Sequence, residues 1–156
     1  MSNVEQKLKE LKMELPTPTK PVGEYLPYVK SGNLIFLSGH GPATISGEKK
    51  YQGKLGDSLT IDEGYDAARL VGLNLLSTLK TAIYDLDRIN QIVKVLGMVN
   101  STPDFNQHPQ VINGFSELMT NLYGDKGRHA RSAVGLVNLP FDIPVEIEMI
   151  VEIAVT

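Results

Sequence analysis

Residues 145–155 alternate between apolar and acidic side chains, and this pattern constrains the fold more than any other feature of the chain. A period of two is typical of a β-strand with one covered face and one polar face. The apolar side chains that share the covered face are Val145, Ile147, Met149, Val151, Ile153 and Val155. On the other face lie Glu146, Glu148 and Glu152. The chain therefore needs a sheet with a hydrophobic layer packed on one side.

Helical segments supply that layer. Thr60 and Glu63 form a capping box at the start of the longest apolar stripe, which predicts a helix over residues 60–86. A second helix is predicted over residues 110–124, with Gly124 as its C-cap. A third, amphipathic helix is predicted within residues 1–15, ending before Pro16.

The remaining segments predict further strands. Residues 24–30 and 33–39 form a predicted hairpin, and residues 89–99 a buried strand. Residues 40–59 are predicted to be a loop with a short strand around Tyr51. Residues 130–136 and 145–155 are predicted to form a closing hairpin. This order predicts an α+β sandwich: one domain over residues 1–156, with the helices on one face of a mixed sheet.

Composition limits the function classes. The 156 residues carry a net charge of -3, which disfavours a nucleic-acid binder that neutralises phosphates. The absence of cysteine excludes thiol chemistry and disulfides, and three scattered histidines predict no metal site. The start of the chain lacks the apolar core of a signal peptide, and no apolar run reaches membrane-spanning length. We therefore expect a cytoplasmic protein without membrane contact.

Arg131 is an unusual residue for a strand, because an unpaired cation is costly to desolvate. Strand alternation predicts that it lies on the sheet face of the glutamates. If residues 139–144 connect the last two strands, Arg131 lies opposite Glu152, and Glu146 is about 20 Å away along the strand. Two interpretations stay open: a surface ion pair between Arg131 and Glu152, or an arginine that binds a ligand.

Three segments together resemble a known family. "GNLIFLSG" (32–39), "ARSAV" (130–134) and "VEIEMI" (145–150) are similar to the Rid family, also called YjgF or L-PSP endoribonuclease. The resemblance implies a chorismate-mutase-like α+β fold and a homotrimer with sites in the clefts between subunits. It also implies hydrolysis of reactive enamines and imines, such as 2-aminoacrylate, to a 2-oxo acid and ammonia, without metal or cofactor.

The resemblance also implies roles for individual residues. Arg131 would bind the substrate carboxylate, Glu146 would act as acid and base, and a tyrosine, Tyr25 or Tyr28, would line the pocket. The further substrate-binding positions are Ser38, Gly39, Asn113 and Ala133, the last standing where enamine deaminases often have cysteine. His40 follows the "SG" pair where glutamine is commoner.

Two other functions compete with imine hydrolysis. A noncatalytic trimer would bind small carboxylates or a regulatory partner through the same cleft. A ribonuclease, which the older family name suggests, would need acid and base residues in a basic groove, and the charge balance disfavours it.

Overall fold

Five strands form one mixed sheet with helices on one face, as the computed structural model shows for residues 2–48 and 50–155. Met1, Lys49 and Thr156 lie outside the described residues. Met1 belongs to the segment of the predicted N-terminal helix and Lys49 to the predicted loop. The helices are α1 (Asn3–Glu10), α2 (Ile61–Ile83) and α3 (His108–Tyr123). The strands are β1 (Tyr28–Ser31), β2 (Leu34–His40), β3 (Ile89–Asn100), β4 (Ala130–Leu136) and β5 (Val145–Ile153). The predicted α+β class is confirmed.

The core lies between the sheet and the pair α2 and α3. In β5 the odd-numbered residues are buried and the glutamates are not, as the alternation predicts. The strand ends at Ile153, however, so Val155, predicted on the covered face, is exposed. The capping box of Thr60 and Glu63 starts α2, whose residues 71–79 are all buried because sheet and α3 cover them from two sides. Each buried Leu or Ile side chain contributes about 1.5–3 kcal/mol through the hydrophobic effect, so this layer holds the fold together.

The order of the strands is β1-β2-β5-β3-β4, and it corrects the predicted closing hairpin. Among the described residues β4 pairs only with β3, in parallel, while β5 lies between β2 and β3 and is antiparallel to both. A parallel neighbour requires a crossover, and α3 supplies it between β3 and β4. Residues 137–144 therefore pass across the end of β3 instead of making a tight turn.

This order reverses the predicted orientation of Arg131. Arg131 is paired with Val95, which is in turn paired with the buried Met149. Partners side by side in a ladder share a face, so Arg131 lies on the helix side and not beside the glutamates. The predicted pairing with Glu152 is wrong: Glu152 accepts hydrogen bonds from Asn33 and Asn90.

Two local predictions also differ from the structure. The first helix ends at Glu10, because Lys12 has a φ of 55° and leaves the helical conformation. At the start of this helix the carboxylate of Asp87 accepts hydrogen bonds from the backbone N–H groups of Asn3 and Val4. Tyr51 lies in a loop and not in a strand. Among the described residues, no helix is both long and apolar enough to cross a membrane.

Candidate active site

A cleft of about 550 Å³ opens where the chain segments 19–25, 39–48 and 140–146 meet, with Tyr51 at its side. We call it the Glu146 cleft, defined by Tyr25, Gly39, His40 and Glu146. β5 supplies Glu146 at its start and β2 supplies Gly39 and His40 at its end, where the register of the β2–β5 pair is shifted. A register shift of this kind bends a strand and changes the direction of its side chains.

The carboxylate of Glu146 lies against the backbone of Gly39. A Cβ atom at position 39 would be 2.4 Å from Glu146 Oε2, so only glycine leaves this position free. Glu146 is half-buried and has no hydrogen-bond or ion-pair partner within the described part of the chain. Burial and the charge of Glu148 raise its pKa. A carboxyl group with a raised pKa suits proton transfer near neutral pH.

His40 forms the inner wall of the cleft and is itself buried. Its Nδ1 lies 2.6 Å from the carbonyl oxygen of Ser38, and its Nε2 lies 2.8 Å from Thr78 Oγ1. The carbonyl accepts from Nδ1–H, and in the neutral ring Nε2 then accepts from the Thr78 hydroxyl. Burial lowers the His40 pKa, which is consistent with this state. His40 thus ties β2 to α2.

The hydroxyl of Ser38 donates a 2.6 Å hydrogen bond to the carbonyl of Leu26. Ser38 and Tyr25 both line a small pocket that shares Tyr25, Gly39 and His40 with the Glu146 cleft. Tyr25 is exposed and lines the cleft itself, whereas Tyr28 belongs to β1 and packs against the core. Of the two candidate tyrosines, the fold places Tyr25 beside Glu146.

Arg131 lies on a second polar surface, which we call the Arg131 surface and define by Asn113, Ser116, His129, Arg131 and Ala133. Nη1 of Arg131 donates to Asn113 Oδ1 at 2.9 Å and to Ser116 Oγ at 3.0 Å, both on α3. Within the described residues no carboxylate lies within ion-pair distance of the guanidinium. Ala133 lies two residues further along the same face of β4. The half-buried cation therefore keeps N–H groups available for an external anion.

A chain of hydrogen bonds from His129 through Ser116 orients the guanidinium of Arg131. His129 Nδ1 lies 2.7 Å from the carbonyl oxygen of Gly127, and His129 Nε2 lies 2.9 Å from Ser116 Oγ. The carbonyl requires a proton on Nδ1, so in the neutral ring the Ser116 hydroxyl donates to Nε2, and the Ser116 oxygen accepts from Arg131. Burial lowers the His129 pKa, and the Arg131 charge lowers it further.

The two surfaces do not meet within one chain. β3 lies between the strand of Arg131 and the strand of Glu146, which places the two strands about 10 Å apart, and the offset of three residues along β3 adds about 10 Å in the strand direction. Glu146 pairs with Met98, and Arg131 pairs with Val95. Met98 and Val95 are three residues apart in β3, and residues an odd number apart in a strand lie on opposite faces, so the side chains of Glu146 and Arg131 point to opposite faces of the sheet. The structure thus groups Tyr25, Ser38, Gly39 and Glu146, and separately groups Asn113, Arg131 and Ala133.

Three partners of these residues were not predicted from the sequence. Ser116 is one helical turn beyond Asn113, so the i, i+3 spacing places both on one side of α3. His129 is two residues before Arg131 and shares its strand face by alternation. These spacings become informative only once α3 is known to lie over β4. Thr78 has no such local signal. Within residues 2–48 and 50–155, no group of three or more His, Asp or Glu side chains is arranged to hold a metal ion.

The fold is that of the chorismate-mutase-like α+β proteins, and the comparison with known proteins assigns the family. Residues 5–152 match the model of the family described as "YjgF/chorismate mutase-like, putative endoribonuclease". The chain belongs to this family, which confirms the resemblance seen in the sequence.

Individual relatives agree with this assignment. Protein TCP17 of Trypanosoma cruzi is 41% identical over 147 residues, covering 94% of this chain and 91% of that protein. The crystal structure of Atu1372 of Agrobacterium tumefaciens, a protein of unknown function, has a TM-score of 0.90 and 40% identity, covering 97% of this chain and 92% of its own. A "putative endoribonuclease" of Shewanella oneidensis has a TM-score of 0.93 and 33% identity, covering 96% and 99%.

Proposed function

We propose that the protein hydrolyses reactive 2-imino acids and their enamine tautomers to 2-oxo acids and ammonia. The observation that carries this proposal is the half-buried guanidinium of Arg131, which binds two neutral acceptors and no carboxylate of the described chain. A planar guanidinium holds a substrate carboxylate through two parallel hydrogen bonds, which fixes the position of the adjacent C=N carbon.

Glu146 would supply the proton transfers. Its carboxylate takes a proton from a water molecule as the water oxygen bonds to the imine carbon, and the C=N π electrons move to nitrogen. Glu146 then returns the proton to that nitrogen, which gives a carbinolamine. In a second transfer Glu146 takes the proton of the new hydroxyl group and delivers it to the nitrogen, so that the C–N bond breaks and ammonia leaves as the C=O bond forms. The raised pKa of Glu146 suits both directions of transfer. Tyr25 would enclose the reacting group, and Ser38 with the Gly39 amide would bind its polar end.

The separation of the two surfaces supports a trimer in which each site combines the Arg131 surface of one subunit with the Glu146 cleft of its neighbour. The sheet face away from the helices carries exposed apolar side chains, among them Val29, Phe36 and Val134. An apolar face of this kind is typical of a subunit interface. The homotrimer, like the cytoplasmic location, stays a prediction.

The experiment generates 2-imino acids in situ with an amino-acid oxidase and measures the release of 2-oxo acid. We expect acceleration by the wild type, loss of at least a hundredfold in Arg131→Ala and in Glu146→Gln, and near-wild-type rates in the matched controls Arg128→Ala and Glu10→Gln, which change exposed side chains outside both surfaces. Arg131→Lys keeps the charge without the planar fork, so it separates carboxylate geometry from folding. Thermal unfolding of every variant identifies a misfolded one.

Absence of acceleration for every imine would contradict the proposal. Saturable binding of 2-oxobutanoate that depends on Arg131, without turnover, would instead establish a carboxylate-binding protein. An RNA substrate in the same series covers the activity named in the family description. The net charge of -3 favours the small-molecule substrate over RNA.

A further inference from the structure

A second cleft, of about 330 Å³, lies outside both surfaces described above. Three separate segments contribute to it: Lys54 from the loop before α2, Ser101 directly after β3, and His108 from the first turn of α3. Gly135 of β4 and Phe105 also line it. We call it the Lys54 cleft, and the proposed imine hydrolysis uses none of these residues.

Ser101 and His108 form a hydrogen-bonded pair above Gly135. Ser101 Oγ lies 3.1 Å from His108 Nε2, and the His108 ring meets Phe105 edge to face at 5.2 Å between ring centroids. A Cβ atom at position 135 would lie 2.3 Å from His108 Nε2 and 2.8 Å from Ser101 Oγ. Any larger residue at position 135 would displace the pair, so glycine makes room for two polar groups at the mouth of the cleft.

Lys54 brings a cation to the same cleft. Its Nζ donates to Asn100 Oδ1 at 2.7 Å and to the carbonyl of Val137, both of which are neutral acceptors. An ammonium group has three donors, so one remains. No carboxylate of the described chain lies within ion-pair distance of Nζ, and Asp142 reaches this network only through the amide of the buried Asn100.

The lining of the Lys54 cleft favours one class of ligand. It holds one ammonium, one imidazole and hydroxyl groups, and the residues that form it include no Asp or Glu. The rest of the lining is largely apolar, from Pro103, Phe105, Leu136 and Val137. A half-buried cation without a counterion favours an anionic ligand, and the apolar wall favours a ligand that carries a hydrocarbon part.

We infer that the Lys54 cleft binds a small organic carboxylate, with its oxygens on Lys54, Ser101 and His108 and its hydrocarbon part against Phe105 and Pro103. The inference does not depend on imine hydrolysis, since it concerns a different cleft and its test reads binding alone. The Ser101 hydroxyl donates to the carboxylate in place of His108, and His108 donates through a protonated ring nitrogen.

The test follows the ring carbons and protons of His108 by NMR during titration with butanoate, acetate and inorganic phosphate. Burial lowers the pKa of free His108, and a bound carboxylate would raise it, because the anion stabilises the imidazolium. We expect saturable shifts with butanoate, a higher His108 pKa when butanoate is bound, and about tenfold weaker binding of acetate, which lacks two methylene groups.

Variants locate the binding. Lys54→Met and Ser101→Ala should abolish the saturable shifts, whereas Lys9→Met, which removes an exposed lysine of α1, should leave them unchanged. Thermal unfolding shows whether each variant folds. Equal, unsaturable shifts in all four proteins would mean nonspecific screening and would overturn the inference. Tighter binding of phosphate than of butanoate would also overturn it, because the apolar wall would then have no role.

Discussion

Gly39 is the residue on which the position of the proposed acid and base depends most directly. In Gly39→Ala the new methyl group would overlap Glu146 Oε2, the flexible end of a side chain, so the carboxylate moves while the backbone stays. We expect imine hydrolysis to fall at least a hundredfold, as in Glu146→Gln, with a thermal unfolding midpoint near that of the wild type. Rates within twofold of wild type would show that the observed position of Glu146 is not the reactive one.

Ser116 acts on Arg131 and not on the substrate. Ser116→Ala removes one of the two acceptors that hold Nη1 and leaves His129 Nε2 without its donor. We expect KM for an imino acid to rise about tenfold with kcat largely retained, because the lost hydrogen bond fixes the group that binds the carboxylate. Thr120→Ala removes a hydroxyl from the same helix and should change neither constant. A fall in kcat at constant KM would assign Ser116 a different role.

The buried side chain of His40 joins β2 to α2, and protonation of His40 destabilises the native state. The pKa of His40 is lowered by burial, so below about pH 6.5 the unfolded chain takes up protons before the folded one does. The free energy of unfolding therefore falls as the pH falls through this range, by at most about 1.4 kcal/mol per pH unit for one group. His40→Asn keeps a donor for the Ser38 carbonyl and removes the titration. Denaturant unfolding at pH 8 and pH 5.5 should show a weaker pH dependence in this variant than in the wild type; an equal dependence would contradict this assignment.

Most elements could be predicted from the sequence because their signals are local. The alternation of β5 and the capping box of Thr60 and Glu63 each lie within one element. The pairing of β4 could not be predicted in this way, because which strand lies beside another depends on contacts between distant segments. Because β4 was predicted to pair with β5, Arg131 was predicted on the wrong face of the sheet. Alternation shows which residues of a strand share a face, but only the neighbouring strand shows which face of the sheet that is. The hydrogen bonds of Ser116 and His129 were missed for the same reason.

At the scale of the whole molecule, the two surfaces belong to one site only if neighbouring subunits supply them. The Arg131 surface lies on the helix side of β4, at one edge of the sheet, and Glu146 lies on a central strand with the opposite orientation. A ring of three subunits with head-to-tail contacts would form three equivalent sites, each from two chains. This arrangement predicts that a subunit lacking Arg131 and a subunit lacking Glu146 can complete one site between them.

The most direct test mixes Arg131→Ala and Glu146→Gln chains, which are each expected to be inactive. After joint unfolding and refolding at equal concentration, random assembly into rings of three would restore about a quarter of the sites, because each site needs an intact Arg131 from one chain and an intact Glu146 from the next. We predict that imine hydrolysis returns to about a quarter of the wild-type rate, and that the variants refolded separately and then mixed without subunit exchange stay inactive. No recovery in a mixture that forms trimers as the wild type does would contradict a site shared between subunits.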